Sequence, residues 1–269
     1  MENYAREFLV CSYCLRYHKY PNENIDLIHW YFNNPNPNLN TCTMKAYDDL
    51  KRNLHGISSM NREEKDSFKE SVYECIRYHL KLLKNDFSQE AFDDWHRTTC
   101  NCIIHIANEN GVNKHLIDGV SFGYGIAQKW LNMAIKYLLV IERENDYALP
   151  QKCLHVPIDS YIYKAYSKHY KETEIKNRYA LSGERAPVNH SDNNRAKKHS
   201  VYVESGDSRT QPWSKLNAID YQDLQCSIRT AIRTNNNETI KSLSPIEWEG
   251  PAWIEQAKIE KAKRNKKRK

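Results

Sequence analysis

Residues 125–142, GIAQKWLNMAIKYLLVIE, constrain the fold more than any other stretch of the chain. Trp130, Met133, Ala134, Tyr137, Leu138 and Val140 are spread around a 3.6-residue helix and leave little of its surface polar. A helix apolar nearly all round has to be enclosed by others, so it is expected to be the central, most buried element.

The surrounding pattern supplies the enclosure. Phe68, Val72, Cys75, Ile76 and Leu83 recur at helical spacing between Asp66 and Lys84, and Phe92, Trp95, Cys102, Ile103 and Ile106 do so between Glu90 and Asn108. After Leu149-Pro150, Pro157 and Asp159 are placed to start a helix with Ile162, Ala165 and Tyr166 on its inward face, which puts Asp159 at or next to the N-cap. Tyr221, Leu224, Ile228, Ala231 and Ile232 give another helix from Ile219 to Arg233, and Ser244-Pro245 opens the last. NNPNPNLN (33–40) links two short N-terminal helices. With no repeat and no alternating strand set, the expected fold is all-α.

The 269 residues are 40% hydrophobic with eight glycines and nine prolines, enough to bury a full core. They divide into N-terminal helices (1–88), a central helical region (89–170), a polar insertion (171–211) with almost no large aliphatic residues, and C-terminal helices (212–257). No apolar run approaches the roughly 20 residues of a membrane span, and the start MENYAREFLVCSYC lacks a signal-peptide pattern. The eight cysteines are irregularly spaced, which suits reduced thiols. A soluble, cytoplasmic monomer that needs no membrane is expected.

The net charge of +6 is unevenly placed. Residues 258–269, KIEKAKRNKKRK, hold eight of the 40 Lys and Arg and one of the 34 Asp and Glu, leaving 32 basic against 33 acidic side chains before them. Such an end is commonly a solvated tail, and it equally suits a polyanion such as nucleic acid.

Gly119, Gly123 and Gly125 fall directly before the central helix, in IDGVSFGYGIAQKW. A glycine turn opening a helix lets backbone N–H groups approach a phosphate, although a tight turn between helices needs the same residues. Lys129 follows, near the start of an apolar helix, where an ammonium is costly to desolvate and its proton is more easily lost, as an amine nucleophile requires. Snorkelling to solvent is the plain alternative.

A helix, a glycine hairpin, a second helix with a lysine near its start and an Asp capping a further helix 30 residues later resemble the helix-hairpin-helix DNA glycosylases. The pattern is most similar to the archaeal 8-oxoguanine DNA glycosylases. The resemblance is carried by Gln128-Lys129 with Lys136 seven residues on, by VPIDSYI around Asp159, and by Ser244-Pro245-Ile246 followed by Glu249 and Trp253. It covers residues 90–257, interrupted by the polar insertion. Two departures stand out: the glycine turn does not read Leu-Pro-Gly-Val-Gly, and Glu249 stands where the family has Asp.

The resemblance implies two helical subdomains flanking a cleft, and a double-stranded DNA partner from which a damaged or modified base is flipped and excised. It implies Lys129 as the nucleophile at the sugar C1′, with strand cleavage through a Schiff base, and Asp159 as its proton acceptor and charge stabiliser. Trp253 and Glu249 would contact the flipped base, and Gly123, Gly125 and Gln128 would hold the DNA backbone. The role would be repair of oxidised purines or attack on modified foreign DNA. Taken singly, Asp159 reads also as a helix cap, Trp253 as core, and Glu249 as a solvated first-turn carboxylate.

No cofactor or metal is expected. Cys11-x2-Cys14 with His18, and Cys100-x-Cys102 with His105, contain zinc-ligand residue types, but Cys100 and Cys102 point about 200° apart on a helix. Arg185-x4-His190 has the spacing of a HEPN-type ribonuclease motif but falls in the polar insertion. A non-catalytic helical module whose basic tail binds nucleic acid is the third reading, and it expects an exposed Lys129.

Overall fold

The computed structural model describes residues 8–11, 26–117, 119–141, 146–172 and 212–267. Arg185 and His190, Cys14 and His18, and the polar insertion beyond residue 172 lie outside the described residues. Helix is the only regular secondary structure among the described residues, and the fold is all-α there.

The helices α1 (Leu27–Phe32) and α2 (Leu39–Leu50) flank the Asn-Pro linker, followed by α3 (Arg62–Leu80), α4 (Gln89–Glu109) and the single turn α5 (Val112–His115). The central helix is α6 (Tyr124–Val140); then come α7 (Ser160–Glu172), α8 (Ala218–Arg233), α9 (Glu238–Lys241) and α10 (Pro245–Lys267). Most starts follow local capping chemistry. Asn38, Ser88 and Asn217 each accept a first-turn amide, and Asn61 and Glu64 form a reciprocal capping box at α3. Pro245 at the first position of α10 withholds an N–H that would have no helical partner.

All 17 residues of α6 are buried. It lies along α2 and against α4 and α8, while α7 and α10 pack on one another. Trp130 shows how tightly α2 is joined: its indole Nε1 donates to the Thr43 carbonyl at 2.9 Å and its ring lies 5.0 Å from that of Tyr47. Buried apolar side chains from Phe8 to Ala257 form one continuous core, so the N-terminal helices are part of the same unit. The last helix continues through Lys267, so much of the basic tail is helical rather than frayed. Among the described residues no helix is long and apolar enough to cross a membrane.

Candidate active site

The site begins with a piece of backbone that belongs to no helix. Residues 154–159 run buried and non-helical through the core, where unpaired peptide groups are costly. Two glutamines stand in for the missing strand partner. The Gln225 amide accepts from Val156 N at 3.1 Å and donates to Val156 O at 2.7 Å. Gln128 does the same two residues on, accepting from Ile158 N at 3.2 Å and donating to Ile158 O at 3.0 Å. Pro157 between them has no N–H to satisfy.

This strap delivers Asp159 to the start of α7. Its Oδ1 accepts from Tyr161 N at 2.9 Å and Ile162 N at 3.0 Å, so the residue is the N-cap. Its Oδ2 faces the other way, meeting Lys129 Nζ at 3.3 Å and the Trp253 indole Nε1 at 3.2 Å. One carboxylate thus serves as cap and as ion-pair partner. Burial pushes its pKa up, but the Lys129 charge, the Ile162 amide and the Trp253 N–H outweigh this and hold it below the usual carboxylate range. Lys129 is 4% exposed and Asp159 9%. Lys129 therefore does not snorkel, and the Trp213 ring lies 4.8 Å from its ammonium.

One helical face carries the second lysine. Lys136 Nζ donates to both oxygens of Glu249, at 2.9 and 2.7 Å, with each residue 1% exposed. Glu249 is therefore not a solvated first-turn carboxylate: a nearby cation offsets its desolvation. The Phe8 ring lies 4.0 Å from the same ammonium and 5.4 Å from the Trp253 ring, while Tyr161 meets Trp253 edge-on at 5.4 Å. Asp159 contacts both Lys129 and Trp253, and Lys136, 5.7 Å from the Trp253 ring, brings Glu249 alongside. The four expected catalytic and base-contacting residues converge, but enclosed rather than lining an open cleft.

Two of the residues expected to hold the DNA backbone are engaged within the protein. Gln128 is fully buried, with its amide donating to Gly125 O at 2.8 Å as well as holding Ile158. Gly125 N donates to Leu216 O at 3.0 Å, and a Cβ there would stand 2.2 Å from the Trp213 carbonyl oxygen. Gly125 is needed because residues 213–216 cross the start of α6, which is also what brings Trp213 over Lys129. Its amide and the Gln128 amide are engaged within the protein. Gly123 is the α6 N-cap, accepting from Ala127 N at 3.0 Å.

Behind the pair lies a buried polar network with one consistent set of proton positions, inferred from its partners. Tyr124 OH meets His96 Nδ1 at 3.3 Å, and His96 Nε2 meets Asn132 Oδ1 at 3.0 Å. Asn132 donates to Gln128 Oε1 at 3.2 Å and to Tyr221 OH at 2.8 Å. Tyr221 OH reaches His155 Nδ1 at 3.0 Å, whose Nε2 meets Asp93 at 2.6 Å. Burial lowers the pKa of both imidazoles, that of His96 strongly, and neutral rings satisfy every contact. Burial pushes Asp93 up, but His155, Arg229 and Gln89 outweigh it and bring the carboxyl down to about 2.

The sequence reading missed Trp213, Phe8, Gln225 and this network. A buried-face Gln at 225 beside Tyr221 and Ile228 was the one visible signal. Comparison with protein-family models, curated proteins and solved structures finds no match to this chain.

Proposed function

We propose that this protein is a DNA glycosylase in which Lys129 attacks the sugar C1′ of a flipped nucleotide and Asp159 receives the lysine proton. The reading is carried by the enclosed contact of Lys129 Nζ with Asp159 Oδ2 at 3.3 Å, under indoles from Trp213 and Trp253. An amine beside a carboxylate can exchange a proton, and neighbouring indoles offer faces for a base. In the step, the glycosidic C1′–N bond breaks and its electron pair leaves with the base. Asp159 first takes one proton from the Lys129 ammonium, the freed amine forms the Nζ–C1′ bond, and a second Nζ proton goes to the ring oxygen O4′ as the C1′–O4′ bond breaks, leaving a protonated Schiff base. Base entry requires movement of the aromatic side chains around Lys129. An open cavity lined by Trp30, Tyr31, Lys45 and Asp49 reaches Tyr31, whose ring lies 6.3 Å from that of Phe8. Phe8 in turn covers Lys136 and Trp253.

The basic end of α10 adds affinity for the double-stranded DNA partner that does not depend on sequence, through counterion release. Glu260 in that segment is held by Lys164 at 3.1 Å and Lys263 at 3.4 Å. A chain ending at Lys263 keeps those contacts, and a shallower salt dependence of DNA binding is expected from it.

The deciding experiment is borohydride trapping on duplexes carrying 8-oxoguanine, uracil, or hydroxymethylated or glucosylated cytosine. A covalent adduct with one of these, absent from Lys129→Gln, is expected and would name the base. Base release that persists in Lys129→Gln would remove the lysine from the chemistry. No base release from any duplex would leave the ion pair as a purely structural element.

A further inference from the structure

We propose that Cys75, His79 and Cys102 form a site for a soft divalent cation of the zinc class, separate from the Lys129 site and independent of the glycosylase reading. Cys75 and His79 stand one turn apart on α3, and Cys102 comes from α4, which packs against α3. Their ligand atoms, two thiol sulfurs and one ring nitrogen, all lie within 4.8 Å of one another. Tetrahedral zinc, with Zn–S about 2.3 Å and Zn–N about 2.0 Å, sets sulfurs about 3.8 Å apart and sulfur and nitrogen about 3.5 Å apart. The observed spread exceeds those separations by about 1.3 Å at most, a gap on the scale of side-chain rotation.

The donor set is chemically selective. Two thiols and an imidazole suit zinc and other soft ions, whereas magnesium and calcium need oxygen ligands. Cys75 is buried while His79 and Cys102 are half-buried, so the cluster is reachable from solvent, which would supply water as the fourth ligand. The His79 ring has no hydrogen-bond partner among the described residues, while its backbone carbonyl is fixed by the Trp95 indole at 2.8 Å. That contact fixes the backbone at His79, and the ring, which meets Tyr78 edge-on at 5.5 Å, keeps its nitrogens available to ligate. Binding displaces one proton from each thiol to the buffer and leaves a neutral dithiolate-metal centre, with no oxidant needed. The sequence held half of this site in the open as Cys75-x3-His79, a spacing that places both side chains on one helix face.

The test uses the full chain, reduced and stripped by chelator, with cobalt(II) as the probe. One equivalent is expected to give a tetrahedral cobalt spectrum with thiolate-to-metal charge transfer, and zinc should displace it. Cys75→Ser and Cys102→Ser should each weaken binding about 100-fold or more, and His79→Asn should change the spectrum. Zinc should also protect Cys75 and Cys102 of the unmutated protein from alkylation, a readout that needs no variant to fold. Three results would overturn the proposal: no cobalt spectrum, a spectrum retained in Cys102→Ser but lost in Cys14→Ser, or a Cys75–Cys102 disulfide forming under mild oxidation in a chain that binds no cobalt.

Discussion

The two buried lysines of α6 sit seven residues apart on one face, yet they are held in different ways. Lys136 grips both oxygens of Glu249 at 2.9 and 2.7 Å, and each side chain is 1% exposed. Lys129 touches one oxygen of Asp159 at 3.3 Å, and that carboxylate also caps α7 and accepts from Trp253. A bidentate pair sealed from water is difficult to part without leaving a buried charge. A single longer contact to a shared carboxylate leaves the amine less committed. The two pairs therefore differ in how firmly each amine is held, and the proposed nucleophile is the looser one.

The largest expected effect separates them on stability. Lys136→Met strands Glu249 and should cost about 3–5 kcal/mol, whereas Lys129→Met leaves Asp159 with its cap and indole contacts and should cost less than half as much. Urea denaturation of both variants measures this. Adding Glu249→Met to Lys136→Met should recover most of the loss, because the stranded charge is then gone. Equal losses in the two single variants would erase the distinction between the pairs.

Next comes the strap. Gln128→Leu removes the partners of the Ile158 N–H and C=O, at a cost of about 1–3 kcal/mol. Covalent trapping through Lys129 should fall with it, since Asp159 follows Ile158, while the Lys136 pair stays intact. Trapping at the parental rate would show that the strap does not position Asp159.

Acid should loosen the same end of α6. His96 and His155 have folded pKa values below the ordinary value, so the stability they contribute is complete above about 6.5 and falls as pH drops, because the unfolded chain takes protons first. At pH 5.5 each imidazole that stays neutral in the fold should cost about 1.4 kcal/mol. Hydrogen-exchange protection at Ile158 and Ile162 is expected to decline before that near Val140. Uniform loss along α6 would mean that the histidines support the whole helix and not one of its pairs.

The smallest effect is expected at the glycine turn. Gly123→Ala meets nothing closer than Ser121 Oγ at 4.0 Å and should change stability by about 0.5 kcal/mol or less, while Gly125→Ala collides with the Trp213 carbonyl. Thermal melting of the two variants compares them directly.

What the sequence revealed and what it hid follow the range of the interactions. The helices were readable because periodicity and capping are local: the residues expected to face inward on α3, α6 and α7 are buried or half-buried, and Asp159 is a cap. Lys129 and Asp159 were nominated through resemblance, and their contact spans 30 residues of chain. The strap was hidden because Gln225 meets Val156 across 69 residues, and no local pattern announces a side chain replacing a strand. The partner of Gly125 was hidden because a glycine needed for close backbone approach looks the same in sequence whether the neighbour is a phosphate or another loop.

The span between Lys136 and Glu249 also bears on how the chain is made. The two are 113 residues apart, so at about 5–20 residues per second a ribosome adds Glu249 roughly 6–23 s after Lys136. For that interval the nascent protein carries its most apolar helix with one flank bare and a cation waiting for its counter-charge. Until α10 emerges, the half-made chain therefore exposes apolar surface that the finished fold covers.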